Sequence, residues 1–275
     1  MPRLRIGSKP IDNGYYIFDS EDMALFLGQE PSAEKYLRPY IGAREYLQGG
    51  DRWILALHEA SPKELSKMPL VRKRIAAVHD YRRSSASKPT QQLAETPRLW
   101  HVNVIPHEPY LVLPEVSSER REYVPIGWLE PPIIPSNLVK VLIDASLAEF
   151  GLLSSAMHMA WLRAVAGRMK SDYRYSVGVV YNTFPLPRGF SDDSTSARLD
   201  APAQAVLDAC AAHPNATLAE LYDPDLMPPD LRKAHRDLDR AVDRLYRSRP
   251  TFKSESERLE HLFGLYEQMI GTLRP

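Results

Sequence analysis

Apolar residues follow two different rhythms along this chain. Up to about residue 135 they come in short runs: Tyr15-Tyr16-Ile17-Phe18, Trp53-Ile54-Leu55-Ala56-Leu57 and Leu111-Val112-Leu113. Runs this short, rich in aromatic and branched side chains and bounded by polar residues or proline, predict β-strands. Short helices are predicted between them. Ser61-Pro62-Lys63-Glu64 sets a hydroxyl before a first-turn proline and a glutamate three residues on, a capping box for a helix through Met68. From Val71 to Tyr81, Val71, Ile75 and Val78 share one face while Arg72, Lys73, Arg74 and His79 lie elsewhere, which predicts an amphipathic helix with a cationic side.

Pro131-Pro132-Ile133-Ile134-Pro135 fits neither a regular helix nor a central strand and reads as a connection where the architecture changes. Beyond it the rhythm turns helical. A helix is expected over Leu138, Val141, Leu142 and Ala145, capped by Ser136 or Asn137, and a second from about Ser154 to Arg168. Tyr173 to Tyr181 reads as a strand stopped by Pro185 and Pro187. Gly189 to Ser196 has linker composition, and three helices follow at Pro202 to His213, Pro229 to Arg247 and Ser254 to Leu273. The expected fold class is α+β: a mixed domain over residues 1–135, flanking helices and a strand over 136–188, and a C-terminal helical bundle over 197–275.

Composition narrows the function classes. Thirty-five basic residues balance thirty-five acidic ones, which argues against a uniformly cationic nucleic-acid arm or membrane-surface helix. The balance is uneven, however: nine Lys/Arg face three acidic residues between Lys63 and Arg98, and five face Asp172 alone between Trp161 and Arg188. After Arg188, eleven basic residues meet fifteen acidic ones. Such segregation fits a protein with one anion-facing side. Cys210 is the single cysteine, so no disulfide forms within the chain, and a reducing cytoplasm is the expected location. The N-terminus lacks the apolar core of a signal peptide, and the apolar stretch from Gly151 to Gly167 is broken by His158 and Arg163.

The chemistry of catalysis is not apparent in any motif. The sequence carries no glycine-rich phosphate loop, no Gly-x-Ser-x-Gly elbow, no His-Glu-x-x-His and no Asn/Asp-Pro-Pro-Tyr sequence that grips an extruded adenine. Met157-His158-Met159 with Trp161 reads as core packing, and His235 and His261 as polar contacts of helices, so no metal is expected. The cations are more informative. Arg72, Lys73, Arg74, Arg82, Arg83, Ser84 and Lys88 offer charges and a hydroxyl suited to a phosphate backbone, and Arg168, Lys170 and Arg174 repeat the theme. Between these stretches stands Ser117-Ser118-Glu119-Arg120-Arg121-Glu122-Tyr123. An arginine fork matches the acceptor edge of guanine and a glutamate accepts from the cytosine amine. On an extended strand Glu119 and Arg121 share one side and, with Ser118, form a base-reading edge, while Arg120 points away toward phosphate. A solvated loop and two solvated basic faces fit the same composition, as does a protein-interaction or scaffolding subunit without base readout.

A longer series of motifs carries a family resemblance. Gly7-Ser8-Lys9-Pro10, Tyr40-Ile41-Gly42-Ala43-Arg44-Glu45, the Val116–Arg121 run with Tyr123-Val124-Pro125-Ile126-Gly127, and Phe150-Gly151-Leu152-Leu153-Ser154-Ser155 begin it. Met157 to Trp161, Gly167 to Ser176, Tyr181-Asn182-Thr183-Phe184-Pro185-Leu186-Pro187, Leu218 to Pro224 and Ala234 to Asp239 continue it. Together they resemble the C-terminal part of the MmeI-like fused restriction and adenine-specific DNA methyltransferase enzymes. The resemblance implies a target recognition domain over residues 1 to about 185, followed by a helical module completing a clamp on double-stranded DNA. It also implies a methyltransferase domain or subunit as partner, possessing the S-adenosylmethionine site that this chain lacks. Catalysis by this chain alone is not expected.

Overall fold

The structure is a computed structural model and describes residues 1–271. Strands form at Leu4–Ile6 (β1), Ile17–Asp19 (β2), Leu37–Ile41 (β3), Arg52–Leu55 (β4), Tyr110–Pro114 (β5), Val116–Ser117 (β6), Gly127–Leu129 (β7), Ile134–Pro135 (β8), Val139–Ile143 (β9), Gly167–Met169 (β10) and Asp172–Arg174 (β11). Helices form at Ser20–Gln29 (α1), Ala43–Gln48 (α2), Pro62–Leu65 (α3), Pro69–Arg83 (α4), Lys88–Gln92 (α5), Leu147–Leu153 (α6), Ala156–Val165 (α7), Asp193–Ser196 (α8), Asp200–Ala211 (α9), Leu218–Leu221 (α10), Pro229–Tyr246 (α11) and Glu255–Gly271 (α12). The α+β class with a helical C-terminal region follows from this order.

Two compact units make up the chain, and neither is one consecutive stretch. One unit contains residues 6–108 and 130–139; the other contains 1–5, 109–129 and 140–275. In the first, a four-stranded sheet has the order β2-β4-β3-β8, antiparallel except where Tyr40 and Ile41 of β3 pair in parallel with Ile134 and Pro135 of β8. Its core gathers Phe18, Phe26, Ile54, Leu55, Val71 and Val78. Helix α4 begins where Glu30 reaches across from the end of α1: the buried carboxylate accepts from the Leu70 amide at 2.6 Å and the Val71 amide at 3.4 Å. These are amides that a helix leaves unpaired in its first turn.

The second unit has a sheet of order β1-β9-β5-β7 and a smaller one of order β10-β11-β6. Strands β5 and β9 are central, and every residue of β5 is buried. That burial explains the main departure from the sequence expectation. The segment around Val139–Ile143 reads as helical, yet it is a strand; a strand covered on both faces shows no period-two alternation and cannot be told from a buried helix by pattern. Helix starts only at Leu147, where Ser146 and Glu149 form a capping box. The strand expected through Tyr181 likewise ends at Arg174, and Val177–Tyr181 is one π-helical turn with the Asn182 amide bonded to the Val177 carbonyl at 2.9 Å. Helices α7, α9, α11 and α12 stand near their expected positions, the end at Leu273 lying outside the described residues. The core here collects Leu111, Phe150, Met157, Trp161, Leu199, Leu238 and Leu262.

Candidate nucleic-acid interface

The run from Ser117 to Arg121 lies against a small hairpin. Strands β10 and β11 pair antiparallel, with Arg168 opposite Tyr173 and Met169 opposite Asp172, and the exposed Lys170 and Ser171 form the tip. Lys170 there has φ 58°, the left-handed conformation that a two-residue connection demands. Strand β6 adds to the other edge of β11, Ser117 opposite Tyr173 and Val116 opposite Arg174.

Pairing ends at Ser117. Residues 118–121 form a turn closed by the Arg121 amide on the Ser118 carbonyl at 3.2 Å, so the expected extended strand with Glu119 and Arg121 on one face is not what the chain adopts. The reason is local. The Ser118 hydroxyl accepts from the Arg120 amide at 3.3 Å, and the Asp172 carboxylate accepts from the Glu119 amide at 3.4 Å where a strand partner would stand.

The turn gives each charge its own surroundings. Glu119 is exposed and sits 3.4 Å from the Arg168 guanidinium, which also donates to the Ser171 carbonyl at 2.7 Å and lies 3.9 Å over the Tyr173 ring. Arg120 is exposed and pairs with Asp225 at 2.6 Å, and Glu122 with Arg232 at 2.8 Å. Arg121 is half-buried; loss of solvent lowers its pKa, against which the charges of Asp172 and Asp223 act. Tyr123 anchors the far end: its hydroxyl donates to Asp239 at 2.7 Å and its ring stacks 4.0 Å from His235. Exposed pairs such as Glu119–Arg168 contribute about 0–1 kcal/mol, so a competing ligand displaces them at little cost. Arg174 is held otherwise. Its partner Glu115 also binds the buried Lys140 at 3.1 Å, and although burial raises the Glu115 pKa, the two cations outweigh it and keep the carboxyl below its usual value.

The other basic stretch lies on and after α4. Arg72, Lys73, Arg83, Ser84 and Lys88 are exposed. Arg74 is half-buried, its guanidinium 4.2 Å over the Phe18 ring and donating to the Tyr15 carbonyl at 2.6 Å, and burial lowers its pKa. With Lys73 it lines a 530 Å³ groove between α1 and α4.

Arg82 does not belong with these, and the expectation of a phosphate contact there is overturned. It is fully buried, and its guanidinium makes five hydrogen bonds to carbonyls: Ile11 at 2.9 Å, Pro10, Leu93 and Leu99 each at 2.8 Å, and Thr96 at 3.1 Å. An arginine has five N–H groups, so none is left for a phosphate. The sequence did hold a signal of this. Arg82 continues the stripe of Val71, Ile75 and Val78 at spacings of four, three and four, the inward face of the helix.

His158 and His235 are core residues, and His261 is half-buried. His158 Nδ1–H donates to the Leu153 carbonyl at 2.8 Å, leaving Nε2 to accept from the Tyr175 hydroxyl at 2.9 Å, and burial pushes its pKa down to about 4. Burial pushes His235 down to about 3. Among the described residues no three His, Cys, Asp or Glu side chains are placed to hold a metal ion, and no helix is long and apolar enough to cross a membrane.

Comparison with known proteins matches the chain as a whole. The family model for the MmeI target recognition domain matches residues 1–188, and that for the MmeI C-terminal domain matches residues 191–274. DNA methyltransferase A of Bacillus subtilis (strain 168) is 38% identical over 271 residues, which is 98% of this chain and 30% of that protein. A solved structure of the Type IIL restriction-modification enzyme MmeI in complex with DNA superposes with a TM-score of 0.94 at 41% identity, covering 98% of this chain and 36% of the other. The chain thus spans about a third of the length of these two relatives.

Proposed function

The chain belongs to the MmeI family, and on that premise we propose that it is the sequence-reading part of a restriction-modification enzyme. It recognises a short duplex sequence and presents it to a methyltransferase domain or subunit, and it does not itself carry out the methyl transfer. The observation that carries this reading is the Ser118–Arg121 turn on the β10–β11 hairpin. There hydrogen bonds fix the backbone amides of Glu119, Arg120 and Arg121, which carry a carboxylate and two guanidinium groups, while the Glu119–Arg168 pair is weak enough to open.

In this mechanism Arg120, Lys170 and Arg174 of the hairpin region, and Arg72, Lys73, Arg74, Arg83, Ser84 and Lys88 of the α4 region, contact phosphates and fix the register on the duplex. Arg168 releases Glu119 and turns to a phosphate. Glu119 then accepts from a cytosine amine, Arg121 donates to the guanine edge, and Ser118 contributes its hydroxyl. The methyl donor of the full enzyme is S-adenosylmethionine, which supplies an electrophilic methyl group on a sulfonium cation. The 530 Å³ groove beside α4 does not fit that cofactor, since two of its three charged lining residues, Lys73 and Arg74, repel a sulfonium and the third, Asp22, lies beside Arg74.

The test is the charge exchange Glu119→Arg with Arg121→Glu, assayed with the methyltransferase part of the enzyme and sequencing of the methylated sites. One position of the recognised sequence changes its preferred base, with discrimination of about 1–3 kcal/mol. Methylation of the original site at the original efficiency refutes the assignment.

A further inference from the structure

We propose that the outer face of α11 seats the sugar-phosphate backbone of duplex DNA, with Arg236, Arg240 and Arg244 as its contacts beside a 330 Å³ cavity that they line together with Arg258 of α12 and with Asp239 and Asp243, whose carboxylates are engaged within the fold. The proposal rests on the DNA-recognition reading and adds to it a contact surface in the C-terminal helical region, remote in sequence from the basic stretches already described.

The three arginines stand four residues apart and are all exposed, so they form one row on the helix surface. Like charges at this spacing destabilise a helix, and an ordinary solvated face alternates signs instead. Among the described residues, Asp237 is the one acidic residue of α11 that forms an ion pair with the row, at Arg240. Asp239 and Asp243 are turned inward: Asp239 accepts from the Ala156 amide at 2.6 Å and the Tyr123 hydroxyl at 2.7 Å, and Asp243 holds Arg258 through two bonds of 2.8 and 2.6 Å. Asp237 pairs with Lys233 and Arg240. Among the described residues, neither Arg236 nor Arg244 has a carboxylate within ion-pair distance. Arg236 and Arg244 therefore present two cations, flanking the paired Arg240, that a bound polyanion neutralises.

Length selects the ligand. Eight residues of helix rise about 12 Å, too long for one free phosphate to bridge and well suited to a duplex, which presents one charge per about 1.7 Å of its axis. Thr251 on the cavity wall adds a hydroxyl donor, and arginine forks match phosphate oxygens in pairs.

The experiment measures binding of the full chain to a fluorescent duplex across a salt series, for wild type, Arg236→Gln/Arg244→Gln and Arg236→Lys/Arg244→Lys. The glutamine variant is expected to bind all sequences more weakly, with the slope of log affinity against log salt shallower by about 1.8, two phosphate contacts' worth. Its melting temperature is no lower than wild type, and the lysine variant recovers the slope. Wild-type binding with an unchanged slope in the glutamine variant overturns the proposal alone, as does failure of lysine to restore it. So does loss of inorganic phosphate binding with duplex affinity intact, since that assigns the row to a free anion. If the wild-type chain itself shows no salt-dependent duplex binding, the DNA-recognition reading falls and this one with it.

Discussion

Replacing Arg82 with lysine separates an internal tie from a DNA contact. The guanidinium satisfies five carbonyls, of Pro10, Ile11, Leu93, Thr96 and Leu99, and a lysine ammonium has three donors. At least two carbonyls lose their partner in a buried site where water does not replace it. Each such loss costs about 1–3 kcal/mol, so Arg82→Lys destabilises its unit by about 2–6 kcal/mol, and Arg82→Met by more. The backbone adds to this. Ile11, whose carbonyl Arg82 holds, has φ 52°, a left-handed conformation that a branched residue tolerates only when its surroundings enforce it. Denaturant unfolding followed by tryptophan fluorescence reads the outcome, because Trp53 and Trp100 lie in the unit that contains Arg82 while Trp128 and Trp161 lie in the other. The midpoint falls for the first unit, and folded Arg82→Lys protein binds duplex DNA with the wild-type salt slope. A variant of undiminished stability with a shallower salt slope refutes the reasoning and returns Arg82 to the phosphate contacts.

Two further outcomes follow from the same structure. Arg72→Gln with Lys73→Gln, both on the exposed face of α4, weakens binding to all duplexes alike and lowers the salt slope by about 1.8, without changing the preferred sequence; a changed sequence preference in a selection from random duplexes contradicts the phosphate role. Acid destabilises the fold through His158. Its pKa is depressed from 6.5 to about 4, so its contribution is complete above pH 6.5 and is lost as pH falls toward 4, about 3 kcal/mol in all. His158→Gln flattens that part of the stability profile, and a profile that keeps its wild-type slope between pH 6.5 and 4 rules the linkage out.

Surface helices were the most legible elements in the sequence. In α4, α11 and α12 one side meets the core and the other meets solvent, so the 3.6-residue period survives in the order of residues. Strand β9 was not legible, because burial on both sides erases its alternation. Contacts between distant residues were also beyond reach: Glu30 caps α4 from forty residues upstream, and Arg82 binds Ile11 across seventy-one. The candidate site divides in the same way. The residue types that suit DNA are visible in the chain, as is the resemblance that the family match bears out. Their sorting into exposed and buried depends on neighbours. The β10–β11 hairpin escaped detection although Gly167-Arg168-Met169 and Asp172-Tyr173-Arg174 flank a two-residue turn, because a helix ending near Gly167 and a strand beginning at Tyr173 account for the same residues.

The interleaved course of the two units has a consequence for exchanging recognition between relatives. Strands β1, β9, β5 and β7 form one sheet although their residues enter it from three separated stretches of chain. A transplant that takes residues 1–135 as a block would bring β1, β5 and β7 from the donor and leave β9 with the recipient, so a central strand would have to pair with foreign neighbours on both sides. Junctions that respect the architecture instead fall at 5/6, 108/109, 129/130 and 139/140. Cut there, the stretches 6–108 and 130–139 travel together as one cassette in two pieces, and the recipient keeps its own sheet but for Ile6 at the end of β1 and Val139 at the start of β9.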